Sequence, residues 1–108
     1  MMKTTGKHKE LENAIVTVLE HIYDPEIPVN ILDLGLIYEL NIDDEKNVEI
    51  VMTLTAPNCP MAEDLVYEVN EKTNNIPDVK KSTVKLVFDP PWDKSMLSDE
   101  ALLELGLL

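Results

Sequence analysis

Cys59 is the only cysteine of the chain. It stands within Thr53-Leu54-Thr55-Ala56-Pro57-Asn58-Cys59-Pro60-Met61, where an alternating apolar stretch gives way to a helical pattern. Proline suits the first position of a helix, because the N–H it lacks is one the helix could not use there. Pro60 therefore marks a helix start and makes Cys59 the expected N-cap. Unsatisfied N–H groups and the helix dipole at that position favour a thiolate, which would make the sulfur reactive or metal-seeking. Glu63 and Asp64, one turn further on, use the same dipole and oppose the shift. The plainer alternative is a buried cysteine packed as a small apolar side chain.

A second set of chemical groups comes earlier, in Asp24-Pro25-Glu26-Ile27-Pro28-Val29-Asn30-Ile31-Leu32-Asp33, whose path is constrained by its prolines. Asp24 and Glu26 make either a preset acidic pair for a metal or a partner's basic group, or merely a helix stop and a solvated side chain. His8 lies near the start and His21 on the outer side of the first helix. Neither is paired with Cys59 by spacing, so a Cys-His dyad is permitted without being indicated. A lone cysteine excludes an internal disulfide framework and an internal multi-cysteine metal site.

The elements that must position these residues follow from periodicity. From Glu10, the apolar positions Leu11, Ile15, Val18, Leu19 and Ile22 form a helical stripe, with Glu12, Asn13 and His21 away from it, and Asp24-Pro25 ends the helix. After Gly35, Leu36, Tyr38, Leu40 and Ile42 alternate with Ile37, Glu39 and Asn41. Beyond the polar Asp43–Asn47 stretch, Val48, Ile50, Met52 and Leu54 alternate in the same way, which predicts an antiparallel hairpin covered on one face. Thr53 and Thr55 fall on its less covered side. A second helix is expected from Pro60 to about Thr73, then a third strand from Lys81 to Asp89 with Val84, Leu86 and Phe88 inward. That strand should pair in parallel through a right-handed crossover, in strand order one-two-three. Trp92, behind Pro90-Pro91, is read as a pin over the sheet end. Ser98 caps a short last helix ended by Gly106, and its leucines need cover within the domain or from a partner. Ile37, Val51 and Val87 on the open face likewise call for cover by the tail or by a second subunit.

The predicted fold is thus α/β (α+β, two-layer), in the order α-β-β-α-β-α. A three-stranded mixed sheet carries two main helices on one face and a short C-terminal helix. Residues 1–9 are read as a frayed N-terminal segment and 10–108 as one domain. No apolar run reaches the length of a membrane span and no signal segment is evident, so a cytoplasmic location is expected. A net charge of −12, from nine basic against twenty-one acidic residues, argues against nucleic acid and suits a solvated surface or docking on a basic protein.

Together, Asp24-Pro25-Glu26-Ile27-Pro28, Asp33-Leu34-Gly35-Leu36-Ile37-Tyr38, Thr55-Ala56-Pro57-Asn58-Cys59-Pro60 and Phe88-Asp89-Pro90-Pro91-Trp92 resemble the SufT/PaaD-like family of metal-sulfur cluster assembly factors, long described as a domain of unknown function. The similarity runs from about Leu11 to Gly106. It implies an accessory or targeting factor in iron-sulfur protein maturation rather than a turnover enzyme, with scaffold or carrier proteins and client apo-proteins as partners. The family's acids map onto Asp24 and Glu26, its threonine onto Thr55 and its cysteine onto Cys59, while Asn58 stands where glycine is common. The chain stops soon after Gly106 without the cysteine-rich tail of the phenylacetate branch, which favours the general assembly branch. A protein-held cluster commonly needs four ligands, so Cys59 alone implies no tightly bound cofactor but a transient cluster contact, or one bridged in a homodimer. The rival readings are a thiol enzyme with Cys59 as nucleophile or redox centre, and a pure adaptor in which the thiol is incidental.

Overall fold

The computed structural model describes residues 3–4, 8–24, 29–55 and 62–106. Its elements are β1 (Lys3–Thr4), α1 (Lys9–Leu19), β2 (Ile37–Ile42), β3 (Asn47–Met52), α2 (Ala62–Asn74), β4 (Lys81–Leu86), a single 3-10 turn (Lys94–Met96) and α3 (Asp99–Glu104). The expected mixed sheet is present: β2 and β3 are antiparallel, β3 and β4 parallel, in consecutive order. Two-residue β1 adds a parallel edge partner, setting Lys3 and Thr4 against Glu39 and Leu40. This pairing falls inside the segment expected to fray. It uses backbone groups on the free edge of β2, and His8 adds a 3.0 Å ring-nitrogen contact to the Asp43 carbonyl.

One core joins both main helices to the sheet. Ile15 and Leu19 of α1, Leu65 and Val69 of α2, and Leu40, Ile42, Ile50 and Met52 of the strands are buried together. Glu12 is also buried, where the helical stripe places it outward. The reason lies in its partners: hydrogen bonds from Thr4 and from Lys9, the latter an ion pair at 3.3 Å, hold its carboxyl below the usual range against the opposing effect of burial.

The hairpin departs from strict alternation at one position. Ile37 pairs with Met52 and Glu39 with Val51, so Tyr38 is an extra, bulged residue that does not join the inward row of Leu36, Leu40 and Ile42. Its hydroxyl instead donates to the Pro90 carbonyl at 2.7 Å, with Met96 Sδ at 3.6 Å. Ile37 and Val51 are buried, and the segment after β4 supplies cover: Met96 and Leu97 face Val51 and Val87 across a cleft of about 1110 Å³. Gly35 permits this close packing, because its φ is +80° and an added Cβ would lie 2.5 Å from the Met96 carbonyl oxygen.

Candidate functional site

The site region is built at one end of the sheet, where β2 starts and β3 and β4 finish. Parallel strands ending together leave the next connections on the same edge, the usual place for binding groups in α/β sheets. Thr53 N–H donates to the Leu36 carbonyl at 2.8 Å, and Val87 N–H to the Met52 carbonyl at 2.8 Å, so the strand ends are locked to one another. The lock continues toward the acidic turn. Leu36 N–H bonds the Ile31 carbonyl at 3.1 Å, Ile31 N–H the Ile22 carbonyl at 2.9 Å, and Asp24 N–H the Val29 carbonyl at 3.3 Å. An isolated bridge between Tyr23 and Asn30 makes the two arms of the turn a short antiparallel pair. Asn30 and Asp33 brace its return arm, with Asn30 Nδ2 donating to Asp33 Oδ2 at 2.8 Å.

Asp24 is 8 % exposed, held at the base of this turn, and Thr55 is half-buried just past the end of β3. Glu26 and Cys59 lie outside the described residues, as do Pro57, Asn58 and Pro60, and with them the expected helix cap. The relay of backbone bonds runs from Ile22, two residues before Asp24, to Thr53, two residues before Thr55.

Thr53 itself is fully buried, against the expectation that it faces the less covered side. The Tyr38 side chain lies beside it. The Thr53 hydroxyl makes no hydrogen bond to a described residue. Burial pushes the Tyr38 phenol up from its usual range, and the neighbouring Thr53 side chain opposes the rise. Trp92 pins the wall as expected, its indole N–H donating to the Leu34 carbonyl at 2.6 Å. The role of the Tyr38 hydroxyl left no trace in the sequence, since the bulge breaks the very periodicity used to place that residue.

Each histidine sets one ring nitrogen on a backbone carbonyl: His8 Nε2 on that of Asp43, and His21 Nδ1 on that of Thr17 at 2.7 Å. Among the described residues no group of three His, Cys, Asp or Glu side chains is set to hold a metal ion. No helix among them is long and apolar enough to cross a membrane.

The family model described as "Iron-sulfur cluster assembly protein" matches residues 12–86, which include β2, β3, α2 and β4 together with the acidic turn. The chain belongs to this iron-sulfur cluster assembly family. It is 48% identical over 99 residues to the "Fe-S protein maturation auxiliary factor" of Porphyromonas gingivalis, covering 92% of this chain and 94% of that protein. It is 38% identical over 97 residues to the "Fe-S protein maturation auxiliary factor YitW" of Bacillus subtilis, covering 90% and 95%. Among solved structures, the crystal structure of a domain of unknown function, DUF59, from Bacillus anthracis superposes with a TM-score of 0.85 at 38% identity, covering 93% of this chain and 95% of that one. This member of the family thus shares with that structure the α+β architecture expected from its sequence.

Proposed function

We propose that this protein is an accessory or targeting factor that works in the cytoplasm during iron-sulfur cluster assembly or transfer to client proteins. The cluster is cargo, not a resident cofactor. Cys59, as thiolate, contacts a cluster iron or a partner's sulfur during handover. Asp24 and Glu26 offer hard oxygen ligands or a dock for a partner's basic group, and Thr55 hydrogen-bonds the loop that presents the sulfur.

One observation carries this reading: the series of backbone bonds from Ile22 through Ile31 and Leu36 to Thr53, which ties the base of the acidic turn, where Asp24 bonds Val29, to the strand leading toward Cys59. A transfer step needs such a frame, because an incoming cluster must meet soft and hard donors at fixed separation. A single thiol supplies one ligand where a stably held cluster commonly uses four, so release is favoured over retention. Relatives named as maturation auxiliary factors match nearly the whole chain, which supports a non-enzymatic role.

Complementation is the direct test. A deletion strain given Cys59→Ser should mature its iron-sulfur enzymes poorly, and wild-type recovery with that variant would refute the thiol's role. Anaerobic reconstitution with iron and sulfide should give visible colour that is lost in Cys59→Ala. Colour eluting with a dimer would assign a cluster bridged between two copies.

A further inference from the structure

Leu86 and Phe88 continue the inward row of β4 by sequence, yet they are 38 % and 44 % exposed, and Tyr67 on the neighbouring face of α2 is 67 % exposed. The cause is position: β4 is the last strand of the sheet, and α2 covers Ser82 at one end while leaving the other end open. Between α2 and β4 runs a groove of about 600 Å³ lined by Val66, Tyr67, Val84 and Leu86, with Glu63 and Lys81 among its polar residues. It also contains two buried polar atoms without a hydrogen-bond partner, Asn70 Oδ1 and Ser82 Oγ.

The main chain along the groove is open as well. Val87 N–H turns toward β3, and Ser82 N–H turns the other way, where Asn74 Oδ1 accepts it at 2.7 Å. Alternation along a strand therefore directs the N–H and C=O groups of Val84 and Leu86 to the unpaired edge. Among the described residues, β4 pairs with β3 alone. Lys81 and Lys85 alternate with the groove residues along the same strand, exposed and, among the described residues, in no ion pair, with Glu49 of β3 opposite the intervening Thr83, while Lys9, Lys72 and Lys80 are each paired with a glutamate.

We propose that the β4 edge binds an extended segment of a partner protein as an added strand, with apolar side chains seated beside Tyr67, Val84 and Leu86 and the alternating acidic ones set against Lys81 and Lys85. The period of two in a strand sends alternate side chains to opposite faces, so one segment satisfies both halves of the surface.

The probe is a fluorescein-labelled synthetic peptide alternating glutamate and valine, with a lysine-valine peptide as its counterpart. Anisotropy titrations should show the glutamate peptide binding better, and hydrogen exchange should show new protection at the Val84 and Leu86 amides. The exposed double variant Lys81→Glu/Lys85→Glu should weaken that peptide by about tenfold and favour the lysine peptide, as expected for two solvent-exposed ion pairs reversed in sign. Equal affinity for both peptides, no binding, or protection elsewhere would overturn the proposal. So would protection of Val84 that rises with protein concentration alone alongside a dimer mass, which would assign the edge to self-association.

Discussion

At the scale of single residues, the site end depends on side chains chosen for what they allow as much as for what they contact. Gly35 adopts a φ of +80° with the Met96 carbonyl oxygen 2.5 Å from where a Cβ would stand. An L-residue in that conformation costs roughly 1–2 kcal/mol before any clash is counted. Gly35→Ala should therefore lower stability by at least about 2 kcal/mol, read as a shift in the urea midpoint at unchanged slope. Asp43 shows the opposite economy at the hairpin tip. Its Oδ1 accepts the Glu45 and Asn47 N–H groups at 2.9 and 2.8 Å and its Oδ2 the Asn47 amide at 3.0 Å. The Asn47 side chain is the first cause holding the Asp43 carboxyl below its usual range, followed by the Asn47 backbone N–H.

At the scale of elements, periodicity identified the hairpin, both main helices and the capped last helix, where Ser98 Oγ accepts the Ala101 N–H at 3.1 Å. It misplaced what depends on neighbours. Glu12 reads as a surface residue until Thr4 arrives from β1, Tyr38 reads as core until a bulge removes it from the row, and Leu86 reads as core until the sheet ends beside it. The prolines of the acidic turn lie outside the described residues, and the backbone relay from Ile22 to the end of β3 consists of main-chain bonds that no side-chain pattern encodes. The segment after β4 is held over the open sheet face by two tethers, from Trp92 and from Tyr38. Trp92→Phe leaves the Leu34 carbonyl without its donor, and a part-buried unpaired group costs about 1–3 kcal/mol. Limited proteolysis should then cut within 89–98 faster than in the wild type, while the hairpin stays protected.

At the scale of the whole molecule, charge dominates. With a net charge of −12 at pH 7, the folded state works against its own repulsion. Acidification brings a separate effect, whose sign follows from the two shifted carboxyls. Glu12 and Asp43 bind protons less readily when folded than when unfolded, so their stabilisation is complete above the unfolded value near 4 and is lost as pH falls through the lower folded values. Melting temperatures recorded at fixed ionic strength should fall below about pH 4, and less steeply in Glu12→Gln. The relay from Ile22 through Ile31 and Leu36 to Thr53 has a further consequence for how this chain can vary. Those segments are geared together: one residue inserted between Ile31 and Leu36 would slip every tooth at once.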